Sequence, residues 1–127
     1  MAGMRNRKAV LSAAFLLFVA SSVTGGTVIP NDALITGMIL EYAIVSSRLL
    51  GIQPDQILYK LTIHLESSED IVGMVNLLKG KEGEDITFYT KEKLSSDIFG
   101  KKVEAEVSYR GDEHGGRWWM RSIKILE

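Results

Sequence analysis

The chain has 127 residues, with 15 Lys and Arg against 16 Asp and Glu, and no cysteine. Lack of cysteine excludes disulfides, thiolate nucleophiles, cysteine-ligated zinc and iron–sulfur clusters, so packing alone must hold the fold. The first 25 residues carry three of the cations and none of the anions, leaving 12 cations against 16 anions, net −4, in the remainder; such a balance disfavours binding to a phosphate backbone.

Arg5, Arg7 and Lys8 precede an apolar run over residues 9–23 that only Ser12, Ser21 and Ser22 interrupt, and small residues follow at Gly25 and Gly26. This is the pattern of an export signal. Its 15 residues fall short of the roughly 20 needed to cross about 30 Å of hydrocarbon, which favours cleavage over retention as an anchor. Ala20 with Ser22, or Val23 with Gly25, supply small residues at the positions before a cut. Residues 1–25 therefore read as a signal peptide or uncleaved anchor, 26–33 as a linker, and 34–127 as one domain in the periplasm, cell envelope or medium. About 100 residues suffice for one modest core.

Leu34 to Val45 is apolar on both faces, with Gly37 inside it, as in a long strand that bends or bulges. Ser46 to Gln56 holds Gly51 and Pro54 and reads as a long hairpin loop. Ile57, Tyr59, Leu61, Ile63 and Leu65 then alternate with Leu58, Lys60, Thr62, His64 and Glu66, a strand with one buried and one mostly polar face. Ser67-Ser68-Glu69-Asp70 is a capping sequence, and Ile71, Met74, Val75 and Leu78 follow at helical spacing before Gly80, so a short helix is predicted there despite Gly73. Ile86 to Thr90 is a third strand, and Lys93 to Phe99 a second short helix or turn ended by Gly100. Val103, Ala105, Val107 and Tyr109 alternate with Lys102, Glu104, Glu106 and Arg110. Gly111 to Gly116 turns the chain, and Arg117 to Leu126 returns. On that last strand Trp119, Ile123 and Ile125 share one phase and Trp118, Met120 and Leu126 the other, which implies a bulge or a second covered surface.

The expectation is a mainly β domain behind an N-terminal hydrophobic signal helix. It is a five-stranded, OB-like Greek-key barrel with one or two short helices, and Tyr59, Leu61, Ile63, Val103, Ala105, Val107 and Ile123 lie inside.

Ile86-Thr87-Phe88-Tyr89, the Leu94 to Gly100 passage and Lys101 to Val107 resemble the strand, loop, glycine and strand of small exported bacterial OB-fold proteins of unassigned role. That resemblance implies a fold and no particular function. Tyr89, Leu94, Phe99 and Gly100 are also similar to the periplasmic haem chaperone of cytochrome c maturation. That family attaches haem through a histidine after its last strand, whereas His114 precedes the last strand here, so no haem residue carries over.

The residues able to do chemistry are few. His64 stands beside Lys60 and Thr62 on the polar face of the second strand, where it can act as acid, base or ligand; a solvent-facing strand histidine is more often without a role. Asp112, Glu113 and His114 place two carboxylates and an imidazole in one turn, a weak candidate metal site whose flanking glycines speak first for turn geometry. Neighbouring tryptophans on one strand cannot both point inward, so one of Trp118 and Trp119 is covered by the predicted 71–78 helix or exposed for binding. No phosphate loop, His-Glu-x-x-His helix or nucleophile elbow occurs.

The sequence therefore favours a non-catalytic exported binding module for a protein, peptide or glycan. Lys60, Thr62, His64 and one tryptophan line its site, it needs no cofactor, and its only membrane contact is through the N-terminal segment if that is uncleaved. The alternative is a cofactor or metal carrier, or an enzyme using His64 or His114. A C-terminal alkaline phosphatase fusion to the full chain should be active outside the cytoplasm; an inactive fusion retained in the cytosol would contradict export.

Overall fold

The computed structural model describes residues 29–112 and 115–126. The predicted signal segment, Glu113 and His114 lie outside them. Five strands account for most of the described chain: β1 (Ala33–Ser46), β2 (Ile57–Asp70), β3 (Asp85–Thr90), β4 (Lys102–Asp112) and β5 (Gly115–Leu126), with short 3-10 turns at Ser47–Leu50 and Ser96–Ile98. They form one sheet that closes into a ring in the order β1-β2-β3-β5-β4. β1 pairs antiparallel with both β2 and β4, β2 with β3, and β4 with β5. The ring is completed by a parallel contact of two residue pairs, Phe88 with Trp118 and Tyr89 with Trp119.

β1 serves two neighbours because it bends. Its register against β2 shifts between Thr36 and Gly37 and again between Ile39 and Glu41, and such shifts raise local twist and curl the sheet. At Gly37 the two strands approach closely: a Cβ there would overlap the His64 carbonyl oxygen and the Ile63 side chain. The strand glycine thus marks a close approach.

The interior is built from the inward face of every strand. Leu61, Ile63, Val103, Ala105 and Val107 are fully buried as expected, beside Ile35, Ile39, Leu65 and Phe88. Tyr59 and Ile123 are half-buried, Ile123 against the core cluster. At the start of β2 the alternation breaks, leaving Ile57 exposed and Leu58 buried. Two connections add plugs, Leu78 from the β2–β3 segment and Ile98 from the 3-10 turn before β4.

The predicted 71–78 helix is absent. β2 runs on to Asp70, pairing Ser67 with Thr36 and Ser68 with Ile35, and residues 71–84 follow as turns. Two local effects defeat the helical spacing. Gly73 takes a positive φ of 83°, and Asn76 ties the segment to the strand end. Its Nδ2 donates to Ser68 Oγ and Asp70 Oδ1, while its Oδ1 accepts the Leu78 N–H. Local side-chain hydrogen bonds of this kind compete with helix formation. Leu78 is buried by this route, and Val72 is fully exposed.

A bulge is present in β5. Glu104 pairs with Lys124 but Glu106 with Arg121, and Ser122 takes φ 56°. The Glu92 carboxylate accepts from the bulge amides, at 2.6 Å from Ser122 N and 3.4 Å from Ile123 N. The extra residue moves Ile123 into the inward phase of Trp118 and Met120, so the two-phase reading of this strand is corrected.

Gly37→Ala should lower stability by about 2–3 kcal/mol, because the added methyl meets backbone that cannot rotate away. Urea denaturation measures this; an unchanged midpoint would mean that β1 and β2 lie further apart at this point.

Candidate functional site

Phe88 is fully buried, so by the alternation of strand side chains Tyr89 and Thr87 face outward. Register then sets three outward rows across β2 and β3: Lys60 with Tyr89, Thr62 with Thr87, and His64 with Asp85. β5 lengthens the first row, because Tyr89 pairs with Trp119. Lys60, Thr62 and His64 therefore do share one face. Thr62 Oγ1 donates to Glu41 Oε1 at 2.8 Å and lies 3.3 Å from Thr87 Oγ1. His64 Nδ1 lies 2.8 Å from Asp85 Oδ1, with both side chains about half exposed. Lys60 and Thr62 also line a shallow cavity of about 430 Å³ with Glu41, Tyr42 and Phe99.

The two tryptophans part company. Trp118 turns inward, its ring 6.0 Å from Phe88 and 5.2 Å from Tyr109 between centroids, and does not join the strand face. Trp119 lies 6.0 Å from Tyr89 and lines a groove with Ile52 and Gln53 of the β1–β2 loop. The expected cover from residues 71–78 is not what Trp119 meets. Of the Asp112, Glu113 and His114 set, Glu113 and His114 lie outside the described residues. Among the described residues no three His, Asp or Glu side chains stand together as a metal site.

The sequence reading missed a polar cluster on the outer face of β4 and β5. Arg121 Nη2 lies 2.5 Å from Asp32 Oδ2 and 3.0 Å from Glu106 Oε1. The Asp32 hydrogen bond is the main cause that raises the Arg121 pKa above its ordinary value. The charges of Asp32 and Glu106 add to it, and burial works the other way. A raised cation pKa contributes stability that is complete below the unfolded value and is lost only as pH climbs through the folded one. Arg121 therefore brings no pH dependence until far into the alkaline range.

Two grooves share walls at this cluster. One, of about 510 Å³, is lined by Pro30, Asp32, Met74, Ser108, Arg110 and Arg121. The other, of about 360 Å³, carries Trp119, Ile52, Lys91 and Glu92 and shares Ser108, Arg110 and Arg121 with the first. Asp32 and Ser108 are buried, at 8% and 4% exposure. Neither Asp32 Oδ1 nor Ser108 Oγ has a hydrogen-bond partner among the described residues.

Residues read as linker shape one end. Asn31 donates from Nδ2 to the carbonyls of Ile29 and Tyr109 and accepts the Tyr109 N–H at 2.7 Å, so its side chain occupies both backbone groups of Tyr109 beyond the β1–β4 ladder. The only sequence signal for this cluster was weak. Asn31-Asp32 precedes a strand, and Arg121 ends the apolar run Trp118-Trp119-Met120.

Comparison with known proteins gave no match to a family model, a curated protein or a solved structure.

Arg121→Met should cost about 1–2 kcal/mol. The loss is discounted from a fully buried pair because the Arg121 side chain is 43% exposed, whereas the Asp32 side chain, at 10%, is left without its cation. Equal urea midpoints for the parent and variant would show that the pair is only superficial.

Proposed function

We propose that the chain is an exported, non-catalytic binding module on an OB-type Greek-key barrel. Its partner is a protein, peptide or glycan that meets the outer face of β2 and β3. Support for the OB reading comes from the ring order, the parallel β3–β5 contact, and a 3-10 turn lying between β3 and β4. The passage from Ile86 to Val107 that resembles exported bacterial OB-fold proteins spans β3, this turn and the first half of β4. Export rests on the basic and apolar pattern of residues 5–23 alone.

The observation that carries the binding reading is the outward row Lys60–Tyr89–Trp119 across three strands. A cation and two adjoining rings on an open strand face give a ligand an apolar surface with a polar handle. OB domains use this face and its flanking loops for ligands. Phosphate chains fit it less well, because stacking without a cationic groove gives weak affinity at physiological salt.

One observation favours the alternative of chemistry at His64: the 2.8 Å contact with Asp85, which orients the imidazole. No third His, Asp or Glu joins that pair among the described residues to form a metal site, so the binding reading is preferred.

Immobilised chain should retain a partner from envelope extract, and Lys60→Ala or Tyr89→Ala should abolish retention with folding intact, whereas His64→Ala should not. Loss with His64→Ala alone would favour the chemical alternative. Micromolar binding of a single-stranded oligonucleotide, falling steeply with salt, would restore a nucleic-acid partner.

A further inference from the structure

The two unpartnered buried polar atoms of the described chain belong to residues that line one groove, Asp32 and Ser108. Burying a polar group without a partner costs free energy, and native proteins rarely leave one so. Asp32 is held by Arg121 through its other carboxylate oxygen, and Ser108 lines both grooves that Arg121 lines. An acceptor, a hydroxyl and a guanidinium thus line the first groove together with Pro30 and Met74, and Ser108 and Arg121 also wall the neighbouring groove that holds Trp119.

We propose that this groove binds a neutral glycan, with Asp32, Ser108 and Arg121 taking its hydroxyl or acetamido groups and Trp119 carrying a sugar face. A sugar hydroxyl both donates and accepts, so one can satisfy the Asp32 lone pair and the Ser108 hydroxyl once binding turns these solvent-shielded atoms toward the groove. Charge complementarity selects a neutral ligand. Among the described residues, Lys91, Arg110 and Arg121 along the grooves are matched by Asp32 and Glu92 within them and by Glu106 on Arg121, three cations to three carboxylates. A phosphate chain finds no net attraction there, and a metal ion at Asp32 would face the guanidinium. A peptide added as a strand is disfavoured as well: the backbone N–H and C=O of Tyr109, at the end of the β1–β4 ladder, are already taken by the Asn31 side chain. A ligand recognised by side chains alone fits what is left.

This inference takes from the proposed function only that the chain binds a ligand. It places the site on the β4–β5 side, reached from the β2–β3 face only through Trp119. The test is titration of the full chain, followed by tryptophan fluorescence and calorimetry, with three neutral tetrasaccharides: β-1,4-linked N-acetylglucosamine, β-1,4-linked glucose and α-1,4-linked glucose.

At least one should bind saturably with a tryptophan emission shift. Asp32→Asn, Ser108→Ala and Trp119→Ala should each weaken it about tenfold or more, and Lys79→Ala, which lines neither groove, should leave it unchanged. Ser108→Ala carries a second readout, because removing an unpartnered buried hydroxyl should hold or raise Tm while binding falls. A merely structural Ser108 would lower Tm and leave binding in proportion to the folded fraction.

No binding of any of the three up to about 10 mM, the weak end of specific recognition, would overturn the proposal. So would binding insensitive to Asp32→Asn and Ser108→Ala in folded protein, or preferential binding of an oligonucleotide or of an unrelated tetrapeptide. Loss of glycan binding in Lys60→Ala alone would refute this groove while sparing the β2–β3 face.

Discussion

The structure depends on the seam where β3 meets β5. β1 and β2 pair along nearly their whole lengths, but the ring is closed by only two registered pairs, Phe88 with Trp118 and Tyr89 with Trp119. So short a parallel ladder adds little through its backbone hydrogen bonds. The side chains fasten it. Trp118 lies against Phe88 and Tyr109, each ring pair contributing about 0.5–1.5 kcal/mol beyond its buried area, and it packs on the core that Met120 and Ile123 complete. On the other face Trp119 meets Tyr89. The adjacency Trp118-Trp119 is thereby explained: one ring locks the seam from inside and its neighbour marks it outside.

Closure also requires departures from regular strand geometry, and these position the polar groups. Gly37 lets β1 bend close to β2, so that one strand can pair with β2 and β4. The bulge at Ser122 re-aims β5 after Arg121, and the Glu92 carboxylate holds it by two amides. One consequence is energetic, since Ile123 gains the core. The other concerns binding. Arg121 is left outward between Asp32 and Glu106, and the β3–β4 connection that supplies Glu92 also supplies the Lys91 wall beside Trp119.

Much of the fold was legible in the sequence because period-2 alternation is a strong signal wherever one face is buried. Leu61, Ile63, Val103, Ala105 and Val107 announced β2 and β4 and their inward face, and the mixed apolar phases of Arg117 to Leu126 pointed to a bulge or a second covered surface, of which the bulge is present. Residues 71–78 misled for a definable reason: their helical spacing was overridden by Gly73 at positive φ and by Asn76 side-chain bonds to Ser68 and Asp70, neither of which periodicity can weigh. The site was half legible. Lys60, Thr62 and His64 follow from the polar phase of one strand. The Asp32–Arg121 cluster joins residues 89 apart in sequence, and the burial of Ser108 depends on what covers the outer sheet face. Long-range placement of that kind leaves no mark in local pattern.

Nuclear Overhauser spectroscopy across the seam, read with amide exchange on the same sample, tests closure of the ring directly. A closed ring should give backbone contacts linking Phe88 and Tyr89 to Trp118 and Trp119, with the amides of these four residues exchanging as slowly as those of β2. Absence of the cross-strand contacts, with β3 and β5 exchanging like free sheet edges, would contradict it. The chain would then be an open sheet, with nothing to hold Trp119 beside Tyr89 or to seat Arg121 between its carboxylates.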